Sequence, residues 1–218
     1  MEVNPVSVIL VKADSKGDRL LFRYPYEVQK NDISSKTNEI KKNPYAVSIT
    51  DDVLQNTPPP ASNIINGELR GFTDEVLSTL FAVKPELTNQ KFELKVNDVR
   101  FVSHPTQMQP KDDSNGSILI NVVFALHAQA SYSIVKCYYE LSKKLGYALK
   151  MEEERVAYLT EEMGIMVKTH DEVANVIEQK KSLINVCEFD LILERSSLAQ
   201  SLKSIYHDLC TTGLSTFP

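Results

Sequence analysis

The sequence predicts an α+β fold, with antiparallel strands joined in hairpins followed by a helical C-terminal third. Three observations predict it. Pro5-Val-Ser-Val-Ile-Leu-Val11 and Arg19-Leu-Leu-Phe-Arg-Tyr-Pro25 are rich in β-branched, aromatic and long aliphatic residues. They flank Asp14-Ser-Lys-Gly-Asp18, whose glycine can take a positive φ, so the chain opens with a β-hairpin. A second hairpin is written in Lys91-Phe-Glu-Leu-Lys-Val96 and Val99-Arg-Phe-Val-Ser103, separated by Asn97-Asp98. From Ser131 onward no proline occurs before Pro218, and apolar residues recur at helical spacing.

Residues 27–71 change character between these elements. Lys, Asn, Ser, Thr and Asp dominate, Pro58-Pro-Pro60 stiffens the middle, and apolar residues stand singly, so a mobile insertion is expected. Such a length adds little closure entropy per extra residue, which a core tolerates. Thr73 then caps a helix whose apolar face is Val76, Leu77, Leu80 and Phe81, ending before Pro85. In the strand from Lys91 to Val96, Phe92, Leu94 and Val96 alternate with Lys91, Glu93 and Lys95, a pattern suited to a sheet edge with one solvated face. After a loop with Pro105, Pro110 and Gly116, Ser117-Ile-Leu-Ile-Asn-Val-Val-Phe-Ala-Leu126 is apolar on both faces and belongs mid-sheet, as does Val6 to Val11. Two helical stripes follow: Ile134, Tyr138, Leu141, Leu145 and Leu149, then Val156, Leu159, Met163, Met166, His170, Val173 and Ile177. Glu152-Glu-Glu154 marks a break or bend toward solvent between them. A last helix runs from Ser197 to Leu209. No internal repeat is visible.

Composition bounds the function. The chain has 218 residues, 42% hydrophobic and 24% charged, which is the balance of a folded domain rather than a disordered one. A net charge of −5 argues against nucleic acid or anionic membrane as the main partner. No apolar run approaches the ~20 residues that cross a bilayer, and Met1-Glu-Val-Asn4 lacks the basic start of a secretory signal. Cys137, Cys187 and Cys210 are odd in number and far apart, so a reducing, cytosolic setting without a disulfide framework or zinc site is expected.

Candidate chemistry is sparse. Arg70, beside Gly71 in the variable stretch, is the arginine placed like a GTPase activator's guanidinium, against the plain reading of a solvated loop residue. Arg23 and Arg100 fall on strands and read as ion-pairing residues. His104, His127, His170 and His207 form no ligand spacing; His170 reads as a buried polar or interface contact, and His127 as a surface residue. Cys137 and Cys210 read as small core residues, and Gly116 stands alone, so no phosphate-cradling loop is present. Catalytic, metal and cofactor sites are therefore all expected to be absent. Binding has a better basis. A strand edge beside the first helix suits β-augmentation, with Val76, Leu80, Phe92 and Leu94 at or just behind a partner interface, against the plain reading of monomer core. The stripe from Val156 to Ile177 is a second surface, against packing on the preceding helix.

Residue by residue, Val6-Ser-Val-Ile-Leu-Val11, Leu20-Leu-Phe-Arg-Tyr-Pro25, Gln90-Lys-Phe-Glu-Leu-Lys95, Val99-Arg-Phe-Val-Ser-His-Pro105 and Asn121-Val-Val-Phe-Ala-Leu126 resemble nitrogen permease regulator 3-like proteins. The stretch from Arg195 to Gly213 is similar to the segment closing that region, whereas the family continues well past Gly213 and this chain ends at Pro218, as a truncated form or an N-terminal region. The resemblance implies a longin (roadblock-like) fold: five antiparallel strands, one helix on one face and two on the other, over residues 1–170, with a helical extension at 171–218. It implies a non-catalytic subunit of the GATOR complex, a GTPase activator for Rag GTPases that restrains TOR complex one when amino acids are scarce. The implied partners are a nitrogen permease regulator 2-like subunit, paired through longin domains and supplying the catalytic arginine, a DEP-domain scaffold subunit and, indirectly, Rag GTPases. The implied location is cytoplasmic, with peripheral recruitment to the lysosomal (vacuolar) surface. Two alternatives stay open: a trafficking-type longin module acting on vesicle GTPases, and an activator with its own arginine finger.

Overall fold

The computed structural model describes residues 3–14, 17–26, 62–109, 116–180 and 187–213, with side chains of 177–180 excepted. The chain is α+β. Strands β1 (Ser7–Asp14) and β2 (Gly17–Tyr24) open it, followed by the short β3 (Ile64–Ile65) and β4 (Glu68–Leu69) and helix α1 (Asp74–Phe81). Then come β5 (Phe92–Val96), β6 (Val99–Ser103), β7 (Thr106–Met108) and β8 (Ile118–His127). Helices α2 (Tyr132–Val156), α3 (Tyr158–Lys180), α4 (Glu188–Arg195) and α5 (Ser197–Thr211) complete it.

The main sheet runs in the order β2-β1-β8-β6-β5, with every neighbour antiparallel. β7 also pairs with β8, where Thr106 opposes Ile120 just beyond the Ser103–Val123 pair. β6 and β7 thus share one side of β8, and the interruption falls at His104-Pro105, where proline has no N–H for the ladder. β8 sits mid-sheet and is buried from Ile118 to Leu126, as its two-sided apolar run requires. In β2, Leu21 is the extra residue of a bulge: Leu10 opposes Phe22 and Val11 opposes Leu20.

Alternate strand residues point to opposite faces, and the helices sort accordingly. On one face, α1 starts at Thr73, whose hydroxyl accepts from the Val76 N–H at 3.3 Å. It buries Leu77 and Phe81, with Phe81 5.0 Å from Phe101 between ring centroids and edge-on to Phe92 at 6.2 Å. The buried Asn121 of β8 donates to the Phe81 carbonyl at 3.0 Å, occupying an acceptor at the helix end. On the opposite face, α2 lays Tyr138 on Phe124 at 5.2 Å. Its Ser142 hydroxyl donates to the Val122 carbonyl at 2.6 Å and accepts from the His104 N–H at 2.9 Å.

Several expectations change in the folded chain. The break between the long helices falls at Ala157, which takes a left-handed φ of 57°, rather than at Glu152-Glu-Glu154. Glu153 is buried: its carboxylate accepts from the Thr160 N–H at 2.9 Å and from the Thr160 hydroxyl at 2.5 Å, so it caps α3 against the positive helix end. Of the stretch read as an insertion, residues 27–61 lie outside the described residues, while its last part forms the β3–β4 hairpin. β7 and α4 are additional elements. Cys137 is exposed on α2 rather than in the core.

α3 and α5 are joined by a second buried carboxylate. Glu162 accepts from the Ser196 hydroxyl (2.5 Å), the Ser197 hydroxyl (2.7 Å) and the Leu198 N–H (3.2 Å) at the start of α5. Glu162→Ala leaves those donors without an acceptor and is expected to lower stability by about 2–3 kcal/mol. Urea unfolding checks this; a loss well under ~1 kcal/mol would mean water replaces the carboxylate.

Candidate interaction surface

The two edges of the sheet are treated differently. At the β2 edge, the His170 Nε2 atom lies 2.9 Å from the Leu21 carbonyl oxygen, Phe189 of α4 packs edge-on against Phe22 at 6.1 Å, and Asp171 pairs with Arg19. At the other edge, β5 has β6 as its only strand neighbour among the described residues. Val96 opposes Val99 across the two-residue turn at Asn97-Asp98, where Asn97 takes a positive φ of 52°. Bonded and non-bonded pairs alternate from there, so Phe92 and Leu94 turn their backbone groups toward β6. Glu93 and Lys95 turn theirs outward, and a strand edge of this kind is a template for another strand.

The side chains of β5 divide in the same way. Lys91, Glu93 and Lys95 are exposed. Glu93 is held by Lys91 (2.6 Å) and Arg100 (2.8 Å), which keep its carboxyl below the usual range. Phe92, Leu94 and Val96 are half-buried and pack against the core on the α1 side. Leu80, Phe92 and Leu94 are each half-buried against the core; Phe92 meets Phe81 of α1 edge-on, while α1 packs chiefly on β2 and β1. Val76 departs from the single apolar face read for α1. Leu77 and Phe81 form the inward line, and Val76, a helical step of 100° away from Leu77, is 45% exposed on the outer side.

The arginines are engaged. Arg70 pairs with Glu68 at 3.0 Å. Arg23 pairs with Asp74 at 3.1 Å and donates to the Phe72 carbonyl. Arg100 pairs with Glu93 and donates to the Ala128 carbonyl. Among the histidines, His207 meets the Tyr24 hydroxyl at 2.9 Å, and His127 closes β8. Burial pushes the thiols of Cys187 and Cys210 up from their ordinary value, away from thiolate character. Among the described residues no three His, Cys, Asp or Glu side chains gather as metal ligands, and no helix is long and apolar enough to cross a membrane. One group that the sequence reading passed over is His104, 2% exposed between the rings of Tyr139 and Tyr147. Its signal was available only as Tyr-x7-Tyr on one helix, which spacing alone cannot tie to a residue on a distant strand.

The described residues define a chain of the α+β class, built on a mainly antiparallel sheet whose β5 edge has no second strand neighbour among them. A family model described as Nitrogen permease regulator 2 matches residues 44–218, and the chain belongs to that family. It is 59% identical over 222 residues to the protein named GATOR complex protein NPRL3 of Drosophila melanogaster, an alignment that covers 97% of this chain and 35% of that relative. The chain thus spans about a third of the length of the curated relative it matches.

Proposed function

We propose that the chain is a non-catalytic subunit of the GATOR complex, the structural half of a longin-type heterodimer with a nitrogen permease regulator 2-like subunit. In this reading the pair, held with a DEP-domain scaffold subunit, acts on Rag GTPases at the lysosomal surface. There it restrains TOR complex one when amino acids are scarce, and the partner supplies the catalytic arginine. The observation that supports it best is the β5 edge, which has no second strand neighbour among the described residues and keeps Phe92 and Leu94 half-buried behind it; in this reading Val76 and Leu80 of α1 extend the surface. Sheet-to-sheet pairing along such an edge offers backbone hydrogen bonds for affinity and side chains for specificity. The name of the similar fly protein supports membership of the complex. The ion pairs and carbonyl contacts that hold Arg23, Arg70 and Arg100 favour a supporting role over an arginine finger of this chain's own.

Lys95→Pro tests the pairing. Proline removes an N–H that points away from β6, so the intramolecular ladder survives while an added strand loses a donor and meets the ring. Co-expression with the 2-like subunit is expected to show recovery of the partner falling by at least about tenfold, roughly 1.4 kcal/mol, with little change in the variant's own melting. Undiminished recovery would reject pairing through β5. Single-turnover GTP hydrolysis by a Rag GTPase is expected to stay at its basal rate with the purified chain alone, and acceleration would overturn the non-catalytic role.

A further inference from the structure

On the face opposite α1, the side of α2 nearest β5 carries Tyr132, Lys136, Tyr139, Lys143, Tyr147 and Lys150 at steps of three and four. Tyr132 is 75% exposed and Tyr147 47% exposed. Lys91, just before β5, reaches over the Tyr132 ring at 6.0 Å, and Lys143 over the Tyr147 ring at 5.9 Å, so the strand's start and the helix form one continuous aromatic and basic stripe. Lys136, Lys143 and Lys150 make no ion pair with another described residue. Lys91, Lys136, Lys143 and Lys150 thus line this strip of a chain whose net charge is −5, with Glu140 the acidic residue within the helical part.

Beneath the stripe lies His104, with ring centroids 5.7 Å from Tyr139 and 5.8 Å from Tyr147. Neither ring nitrogen makes a hydrogen bond of full geometry with a described residue, and the Gln90 backbone is the polar group that interacts with the ring. A buried imidazole always carries at least one N–H, and leaving it unmet is costly. Burial and the neighbouring Lys143 charge both push this histidine below its ordinary value. An entering anion offsets the Lys143 repulsion. Tyr147 is the half-exposed ring of the two that flank His104.

We propose that this stripe is a docking site for an extended acidic segment of a partner polypeptide, one of whose carboxylates enters between Tyr139 and Tyr147 to accept the His104 N–H beside Lys143. The rings offer flat apolar surface between the lysines, which suits a chain with side chains alternating along it. A polypeptide fits better than a membrane or a nucleic acid for two reasons. Glu93 and Glu140 interrupt the positive field, and a single buried N–H calls for a directed carboxylate rather than a diffuse charge. The site is on the face opposite α1 and does not depend on pairing at the β5 edge.

The test titrates the full chain into a fluorescein-labelled random copolymer of glutamate and tyrosine at low salt, reading anisotropy. The combined variant Lys136→Glu, Lys143→Glu, Lys150→Glu is expected to weaken binding by at least about tenfold, whereas Lys144→Glu, on the far flank of the same helix, changes it by less than about twofold. His104→Phe is expected to weaken binding by about tenfold without lowering the melting temperature, since it removes an unmet buried polar group. Hydrogen exchange on the unmodified chain is expected to show copolymer-dependent protection at residues 132–150. Equal losses with Lys144→Glu would reduce the effect to net charge and overturn the site. Unchanged binding by His104→Phe would overturn the carboxylate anchor. Tighter binding to phosphatidylserine vesicles or polyuridylate than to the copolymer would overturn the choice of partner.

Discussion

Phe101→Ala is expected to destabilise the chain by about 3–5 kcal/mol, the cost of truncating a fully enclosed aromatic ring and leaving a cavity. Phe101 has no solvent exposure, opposes Leu94 on one side and Ala125 on the other, and receives Phe72 at 5.4 Å and Phe81 at 5.0 Å. It is the point at which α1, the edge hairpin and the central strand meet, so its loss acts on the fold and on the proposed edge together. Most of a domain's net stability, about 5–15 kcal/mol, would be at risk in a chain of ordinary stability. Urea unfolding against Phe101→Leu, which keeps most of the volume, separates the cavity from lost aromatic geometry. The leucine variant is expected to lose about a third to a half as much. A loss of under ~1 kcal/mol for alanine would mean that the aromatic cluster under α1 is not core.

Gly146→Ala is the second large effect, and its sign is opposite to helix propensity. In an exposed helix the change stabilises by about 1 kcal/mol. Here the new Cβ would stand 2.2 Å from the Thr106 hydroxyl and 3.2 Å from the Thr106 Cβ. Thr106 is buried, and its hydroxyl donates to the His104 carbonyl at 3.1 Å, so rotating the hydroxyl away leaves that acceptor unmet and does not relieve the second contact. A net loss of about 2 kcal/mol is expected, the scale of overpacking in a close helix–sheet contact. Thr106→Ala in the same chain removes the hydroxyl, the nearer of the two contacts, and keeps the Cβ at 3.2 Å, so the double variant is expected to recover about half of the loss. Additive losses in that cycle would show that α2 does not approach β7 this closely.

The hairpins, the central strand and the helix cap at Thr73 were legible because each depends on residues near one another in sequence. Alternation in β5, a two-residue turn at Asn97-Asp98 and nine buried positions in a row along β8 are local signals that the sheet reproduces. The helical break was misplaced because Glu152-Glu-Glu154 looks like a solvated run, yet Glu153 finds buried donors at Thr160 only after the chain turns at Ala157. α4 was missed because it is only eight residues long and because the packing partners of its buried Phe189, Phe22 and His170, lie far away in sequence. Val76 was grouped with Leu77 because both are apolar and adjacent, although a helix turns them apart.

By itself the sequence determined the two main hairpins, the central strand and the long helices, that β5 has one polar and one apolar face, and which protein family the chain resembles. Periodicity, turn chemistry and side-chain type act over a few residues and can be read one segment at a time. Only the tertiary structure decided that α3 and α4 cover the β2 edge while β5 stays open among the described strands. It alone placed His104 under two tyrosines of α2. These are meetings of residues far apart along the chain, set by how helices pack on a twisted sheet, and no short-range pattern records them.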